Sequence, residues 1–330
     1  MSEQAACAKE PLDLSIIIVN WNAWDLLAQC LQSINDTVSN LNFEVIVVDN
    51  ASTDGSQAMI QQQFPRVRLI ENDRNVGFAR ANNQALTVSR ARYFLLLNSD
   101  TIVLPPALEK MVQFADAHAE SGIIGCRLLN SDGSLQKSWA SFPTFWSEVL
   151  GRNFRARRQV EEEPLAYEVD WIGGACLLVR PAAINEVGLL DESFFMYSEE
   201  TDWCFRMKRH GWRVYYLASA EIVHLGGGSA SRTSASQLVR LYENKIRFFH
   251  KHYGPWQAGL LRYGLLAVNA LGLARRALAW PLQRQEREVR RRLAAQWQLI
   301  CRLRRGQPVG VSPDNNNRLA IIDRTSQTLP

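Results

Sequence analysis

The first hundred residues alternate short apolar runs with longer amphipathic stretches. SIIIVNW (15–21), FEVIVVDN (43–50), VRLIEN (67–72) and YFLLLNSD (93–100) are β-branched or leucine-rich. Each is too short for a helix and reads as a strand, the first, second and fourth as strands buried on both faces. Between them, Leu26, Leu27, Cys30, Leu31 and Ile34 recur at helical spacing. Asp54 stands where it can cap a helix running to about Gln63, Gly77 opens a helix over 77–89, and Pro105-Pro106 precedes one over 106–117. Strands separated by helices predict an α/β fold with a doubly wound, mostly parallel central sheet. Such sheets bind ligands at the carboxyl ends of their strands, and Asn20, Asp49, Asn98 and Asp100 fall there.

The pattern then becomes mixed. Asp132-Gly133 in RLLNSDGSLQ (127–136) is a hairpin signal. VDWIGGACLLVR (169–180) reads as a strand interrupted by a glycine pair, SEETDWCFRMKRHG (198–211) as a helix ended by Gly211, and WRVYYL (212–217) and AEIVHL (220–225) as two strands. GGGSAS (226–231) reads as a loop. Residues 138–165 are irregular. Their aromatics Trp139, Phe142, Phe145 and Trp146 suit either a mobile flap over a binding site or a buried cluster. From Ser236 the chain is helical and basic, and Val289, Leu293, Trp297, Ile300 and Arg304 recur at helical spacing among arginines. The expected organisation is a tail over 1–13, a catalytic domain over 14–235, a basic amphipathic helical region over 236–305, and a poorly ordered tail over 306–330.

Charge sharpens this division. Residues 240–305 hold fifteen Lys or Arg against three Asp or Glu, although the whole chain is only +4, so the remainder is net negative. A basic module of this kind meets a polyanion, either nucleic acid or an anionic membrane surface. Tyr263, Leu265, Leu266, Val268, Leu271 and Leu273 add apolar surface that phosphate binding does not need, which favours the membrane over nucleic acid. A helical subdomain packed on the catalytic domain, or an oligomer contact, is the other reading. The longest uncharged stretch, 263–274, is too short to span a bilayer, and the first twelve residues do not resemble a signal peptide. Six scattered cysteines without CxxC or zinc-ligand spacing suit a reduced, cytoplasmic chain.

The chemistry concentrates in acids. Asp49 and Asp100 both end buried strands. A carboxylate there can hold a divalent cation on a diphosphate, accept from a nucleobase or ribose, or simply form a turn. No GxGxxG or GxxxxGK[ST] is present. Glu199, Glu200 and Asp202 are three acids at a helix start, more than the helix dipole requires. Gly173-Gly174 permits close backbone approach to a ligand or marks a bulge. Trp171 suits either a ligand face or the core.

Seven blocks in order carry a resemblance: SIIIVNWN (15–22), VVDNASTDGS (47–56), NVGFARANNQA (75–85), FLLLNSDT (94–101), WIGGACLLVR (171–180), LDESFFMYSEETDWCFRMKRHGW (190–212) and HLGGGS (224–229). Over residues 14–230 the chain resembles the inverting family 2 glycosyltransferases of the GT-A fold, and more narrowly their rhamnosyltransferase branch. The resemblance implies Glu200 as catalytic base. Asp202 is either a second catalytic acid or the partner of Arg206. The implied donor-binding set is Asn20, Asp49, Asn75, Asn98, Asp100, Gly173 and Gly174. Asn98-Ser99-Asp100 matches the family's DxD metal motif with its first Asp replaced, which weakens the expected Mg²⁺ or Mn²⁺ site and leaves Asp100 as main ligand. His224 is either a second ligand or a structural histidine.

The implied partners are a nucleotide sugar, with dTDP-L-rhamnose the leading donor and a UDP-hexose the rival, and a glycan or lipid-linked saccharide acceptor. The expected location is the inner face of the cell membrane. A peripheral binding protein that has lost catalysis is the competing class, motivated by Asn98.

Overall fold

The computed structural model describes residues 11–150, 165–226, 235–279, 297 and 300–302. With elements numbered in chain order, β1 (Leu14–Asn20) is flanked in parallel by β2 (Phe43–Asp49) and β4 (Tyr93–Asn98), and β3 (Arg68–Glu71) extends the sheet beyond β2. β11 (Cys176–Val179) runs antiparallel between β4 and β6 (Ser121–Leu129), and β12 (Arg213–His224) lies parallel to β6. β5 (Thr101–Val103) closes the order β3-β2-β1-β4-β11-β6-β12-β5. The sheet is mixed and mostly parallel, as the pattern predicts.

The apolar runs divide by parity. Ile16 and Ile18 face one core with Val45, Val47, Leu95 and Leu97; Ile17 faces a second with Ile46, Val48 and Leu96. The first core is covered by α1 (Trp24–Thr37) through Leu27, Leu31 and Ile34, with α2 (Ser56–Gln63) and α4 (Ala107–Ala117). The second is covered by α3 (Phe78–Leu86), α6 (Pro181–Val187) and α7 (Glu199–Arg209). Fully buried on both faces, these strands have no polar alternation to display. The cap of α2 is Gly55 rather than Asp54, which stands one residue earlier and accepts from Ser56 N (3.1 Å) at the start of α2 and from Trp24 N (2.9 Å) at the start of α1.

Three expectations change. The stretch 169–180 forms two elements, β10 (Trp171–Ile172), which pairs with β8 (Trp139–Ala140), and β11, with the glycine pair between them. The two strands expected over 212–225 are one, β12, whose register against β6 slips between Leu217 and Glu221, where Ala218, Ser219 and Ala220 pass without partners on β6 and the strand continues. The irregular segment 138–165 supplies β8 and α5 (Phe145–Leu150), while 151–164 lie outside the described residues. The hairpin at Asp132-Gly133 forms as expected, joining β6 to β7 (Leu135–Gln136).

The C-terminal helices α8 (Ala235–Tyr253) and α9 (Pro255–Ala279) pack on the sheet domain. Val239, Ile246, Phe248, Phe249, Leu261 and Leu265 form a third cluster that closes on Phe194, with Phe142, Phe145 and Phe205 against it. Phe142 and Phe145 thus join a buried cluster, whereas Trp146 is exposed. Leu265, expected on the apolar surface, faces this core, and Leu266 packs against it. Val289, Leu293 and Arg304 and the tail 306–330 lie outside the described residues; Trp297 is exposed and Ile300 buried. Cys30, Cys126, Cys176 and Cys204 are buried free thiols.

Candidate active site

β1 and β2 end in register, with Asn20 opposite Asp49, and Val19 lies opposite Asn98. Asp49 is fully buried. Its Oδ2 accepts from Asn20 Nδ2 (2.9 Å), and its Oδ1 accepts from Ser52 N (2.8 Å) and Gln57 Nε2 (2.8 Å). Ser52 Oγ accepts from Asn22 N (2.9 Å), and Asn22 Oδ1 from Thr53 N (2.7 Å), so the loops after β1 and β2 are zipped together. Asn20 Oδ1 is buried and unpartnered among the described residues. Asn75 Oδ1 accepts from Gly77 N (3.0 Å), setting the turn into α3. Gly77 has φ +91°, and a Cβ there would lie 2.6 Å from Phe195 O, so only glycine fits.

On the neighbouring strand ends, Asp100 Oδ1 lies 3.2 Å from His224 Nε2, and Asn98 Nδ2 lies 3.5 Å from the same nitrogen. Gln136 Nε2 is committed to Asn130 Oδ1 (2.9 Å), which turns Gln136 Oε1 toward His224 Nδ1 at 2.6 Å. Nδ1–H therefore donates to Gln136, which leaves Nε2 as the nitrogen turned toward the Asp100 carboxylate. A carboxylate and an imidazole oriented by an amide fit a divalent cation, and Gln136 is the orienting partner that such ligands usually have. Among the described residues no cluster of three His, Cys, Asp or Glu can hold an ion alone, so diphosphate oxygens and water would supply the remaining ligands.

The third group is the start of α7. Tyr197 (φ +76°) and Ser198 (φ +70°) precede it, two consecutive side-chain-bearing residues in the left-handed region. Asn244 of α8 holds this bend by donating from Nδ2 to Met196 O (2.8 Å) and Tyr197 O (3.0 Å). The bend delivers Glu199 and Glu200. Burial pushes the Glu200 carboxyl up to about 7, although hydrogen bonds from the backbone and Thr201 oppose the shift. Glu199 is also held well above the ordinary carboxyl range, by burial and then by the charge of Glu200, and its Oε2 is unpartnered among the described residues. A carboxyl poised near neutrality suits a general base.

Asp202 lies one step behind and is fully buried. Its Oδ2 accepts from Arg206 Nε (2.8 Å); its Oδ1 meets His252 Nε2 (2.7 Å) and Lys251 Nζ (2.7 Å) of α8. Arg206 also donates to Val187 O (2.8 Å) and Leu189 O (2.7 Å). Asp202 makes the expected pair with Arg206 and, enclosed by three basic side chains, anchors α7.

The glycine pair joins these groups. Asn98 N donates to Ala175 O (2.9 Å), and Gly173 N to Ser138 O (2.7 Å). A Cβ on Gly174 would touch Glu200 Cβ and Cγ and Phe78 Cε1, each at 3.9 Å. The backbone at 174–175 thus bridges the Asn98–Asp100–His224 corner to the Glu200 side chain. Trp171 takes the core role, with its Nε1 on Ser141 O (2.9 Å). Gln136, Asn244, Lys251 and His252 are not foreseen from sequence; each meets its partner 47–88 positions away and carries no local motif.

A strand-end carboxylate–imidazole pair beside a near-neutral carboxylate is the arrangement against which relatives can be compared. The family model for glycosyl transferase family 2 matches residues 15–185. The chain belongs to glycosyl transferase family 2. The enzyme is 29% identical over 279 residues to the N-acetylglucosaminyl-diphospho-decaprenol L-rhamnosyltransferase of Mycobacterium tuberculosis, covering 78% of this chain and 91% of that one. It is 26% identical to the rhamnosyltransferase WbbL of Escherichia coli, over 63% of this chain and 82% of that one. The fold matches the mannosyltransferase PcManGT from Pyrobaculum calidifontis in complex with GDP-Man and Mn²⁺, with a TM-score of 0.52 and 16% identity over 88% and 86% of the two chains. This is the GT-A type of glycosyltransferase, and it works on a nucleotide-sugar donor. α7 and Glu200 lie beyond the residues that the family model matches.

Proposed function

We propose that this glycosyltransferase moves L-rhamnose from dTDP-L-rhamnose to a lipid-linked saccharide, with inversion. The carrying observation is the continuity from Asp100 and His224 through Gly174 to Glu200, which lets one sugar touch both ends. The nucleoside lies over the Asn20–Asp49 pair and the loops it fixes, with Asn75 shaping the neighbouring turn. The diphosphate lies at Asn98, Asp100 and His224. A Mg²⁺ or Mn²⁺ ion held there by Asp100 and His224 would neutralise the charge that develops on the leaving diphosphate. Gly173 and Gly174 let the sugar approach the backbone. Glu200 takes the proton from the acceptor hydroxyl as its oxygen bonds to the anomeric carbon. The bond from that carbon to the phosphate oxygen breaks, and the nucleoside diphosphate leaves. The rhamnosyl donor and lipid-linked acceptor are supported by the two rhamnosyltransferase relatives and by the diphospho-decaprenol named for one of them.

A turnover screen across nucleotide sugars, with and without Mn²⁺ or Mg²⁺, tests this reading. Preference for dTDP-L-rhamnose and a metal requirement are expected, and His224→Ala should raise the metal concentration needed for half-maximal rate about tenfold or more. A clear preference for a UDP-hexose would overturn the donor, and metal-independent turnover the ion.

The same reading places the enzyme on the inner face of a cell membrane. Among the described residues no helix is long and apolar enough to cross one. α9 instead presents Trp256 (83% exposed), Leu260, Tyr263 and Leu271 outward, beside Trp146 and Leu150 of α5, which crosses α9 at Gly264. Apolar surface within a strongly basic region suits an anionic interface, where each Lys or Arg contributes about 1 kcal/mol. The enzyme should float with anionic vesicles and not neutral ones, and Trp256→Ser with Tyr263→Ser should weaken that binding. Equal recovery with both vesicle types would contradict the reading.

A further inference from the structure

One face of α8 runs along the loop that feeds the catalytic helix. Arg240, Asn244, Arg247 and Lys251 recur at helical spacing on it. Asn244 binds the Met196 and Tyr197 carbonyls, and Lys251 is bonded to Asp191 (2.6 Å) and Asp202 (2.7 Å). Arg247 lies over the Phe194 ring at 5.8 Å, with Asp191 and Glu243 near enough to raise its pKa against burial. Arg240 differs from these neighbours. Its guanidinium lies 4.3 Å from the Phe195 ring centroid, and among the described residues no carboxylate comes within ion-pair distance of it. Burial pulls its pKa down, with Tyr197 and Glu243 only partly opposing. Tyr197 and Glu243 thus offset only part of the cost of burying this cation, and an anionic ligand would offset more of it.

Its position says which ligand. Phe195, on which Arg240 stacks, packs against Gly77 and accepts from Phe78 N through its carbonyl (2.7 Å). Phe78 in turn lies beside Gly174, which faces Glu200. The guanidinium therefore lies beside the Phe195–Tyr197 bend that leads into α7, on the Glu200 side of the cleft. Stacking fixes its plane while leaving its N–H donors for a planar or tetrahedral anion.

We propose that Arg240 of α8 binds a diphosphate of the substrates, completing the cleft from the C-terminal helical region. The chemistry is shared by two sources, the nucleoside diphosphate of the donor and the lipid-side diphosphate of a lipid-linked acceptor. This inference rests on the transferase reading above.

Calorimetric titration of the full chain separates these possibilities without needing turnover. The probes are dTDP with Mn²⁺, a short-chain prenyl diphospho-N-acetylglucosamine, and the matching prenyl glycoside lacking the diphosphate. Arg240→Gln should weaken one of the first two about tenfold or more, as expected for a charge-assisted bond, and leave the neutral glycoside unchanged. Loss for dTDP assigns the donor, and loss for the diphospho-sugar assigns the acceptor. Wild-type binding of both that Arg240→Gln leaves intact would overturn this inference alone. Failure of the wild type to bind either would overturn the transferase reading with it. If Arg240→Gln does not fold, phenylglyoxal labelling of the wild type mapped to Arg240 serves instead: slower labelling with a diphosphate probe is expected, and an unchanged rate would overturn the proposal.

Discussion

Glu200→Gln should lower kcat about 10³-fold while leaving donor affinity within about threefold, because it removes a proton acceptor and keeps the side chain's shape. The pH profile should change with it. The base works as a carboxylate, and burial places its titration at about 7. In the wild type the rate should therefore rise with pH through about 7 and then level; in the variant the residual rate should lose that limb. Stability should move in the opposite sense. The folded carboxyl titrates above its ordinary 4.5, so the folded state holds an extra proton between those values and wild-type stability falls as pH climbs through them. At pH 8 the variant should accordingly melt a few degrees higher, for roughly 1–2 kcal/mol of relieved burial of charge. An unchanged kcat would remove Glu200 from the reaction.

The largest loss of stability should come from Asp202→Asn. The amide keeps the volume and leaves Arg206, Lys251 and His252 around a neutral group in a fully buried position. Breaking one side of a buried ionic cluster costs about 3–5 kcal/mol, which guanidinium melts at pH 7 should show as a large fall in midpoint at an unchanged slope. Burial alone would raise the Asp202 carboxyl, but His252, Arg206 and Lys251 outweigh it and hold it at about 2. Its contribution is thus fully present above the unfolded carboxyl's 3.8 and is lost as pH falls toward 2, so wild type and variant should converge in acid. Equal midpoints at pH 7 would show that α7 does not depend on this anchor. Because the same carboxylate links α7 to α8, the variant should also lose activity through the placement of Glu200.

Short apolar runs make the sheet legible in the sequence: strands buried on both faces need unbroken apolar segments, and β1, β2 and β4 have them. The rim follows, because a parallel sheet puts Asn20, Asp49, Asn98 and Asp100 at one edge whatever the helices do. The acids at 199–202 are visible as an excess over what a helix start needs. How those acids divide their work is not legible. Asp202 and Glu200 are two residues apart in the same turn, yet one is enclosed by Lys251 and His252 and the other abuts Gly174. That difference is set by α8, fifty residues on, whose packing no local spacing reveals. Gln136 is hidden for the same reason, since its importance lies only in the tautomer it imposes on His224. The β12 register slip mimics a strand break because Ala218, Ser219 and Ala220 interrupt the apolar run without interrupting the backbone pairing around them.

The convergence of donor and base on one sugar is tested most directly by a crystal structure of the Glu200→Gln enzyme with an intact sugar nucleotide and Mn²⁺. The diphosphate should lie against Asp100 and His224, with the side chain at position 200 facing the anomeric carbon across a gap about one hydroxyl wide, on the order of 3 Å to that oxygen. A sugar seated on the rim with position 200 turned away from it, or a nucleotide bound elsewhere than at Asn20, Asp49 and Asp100, would contradict this mechanism.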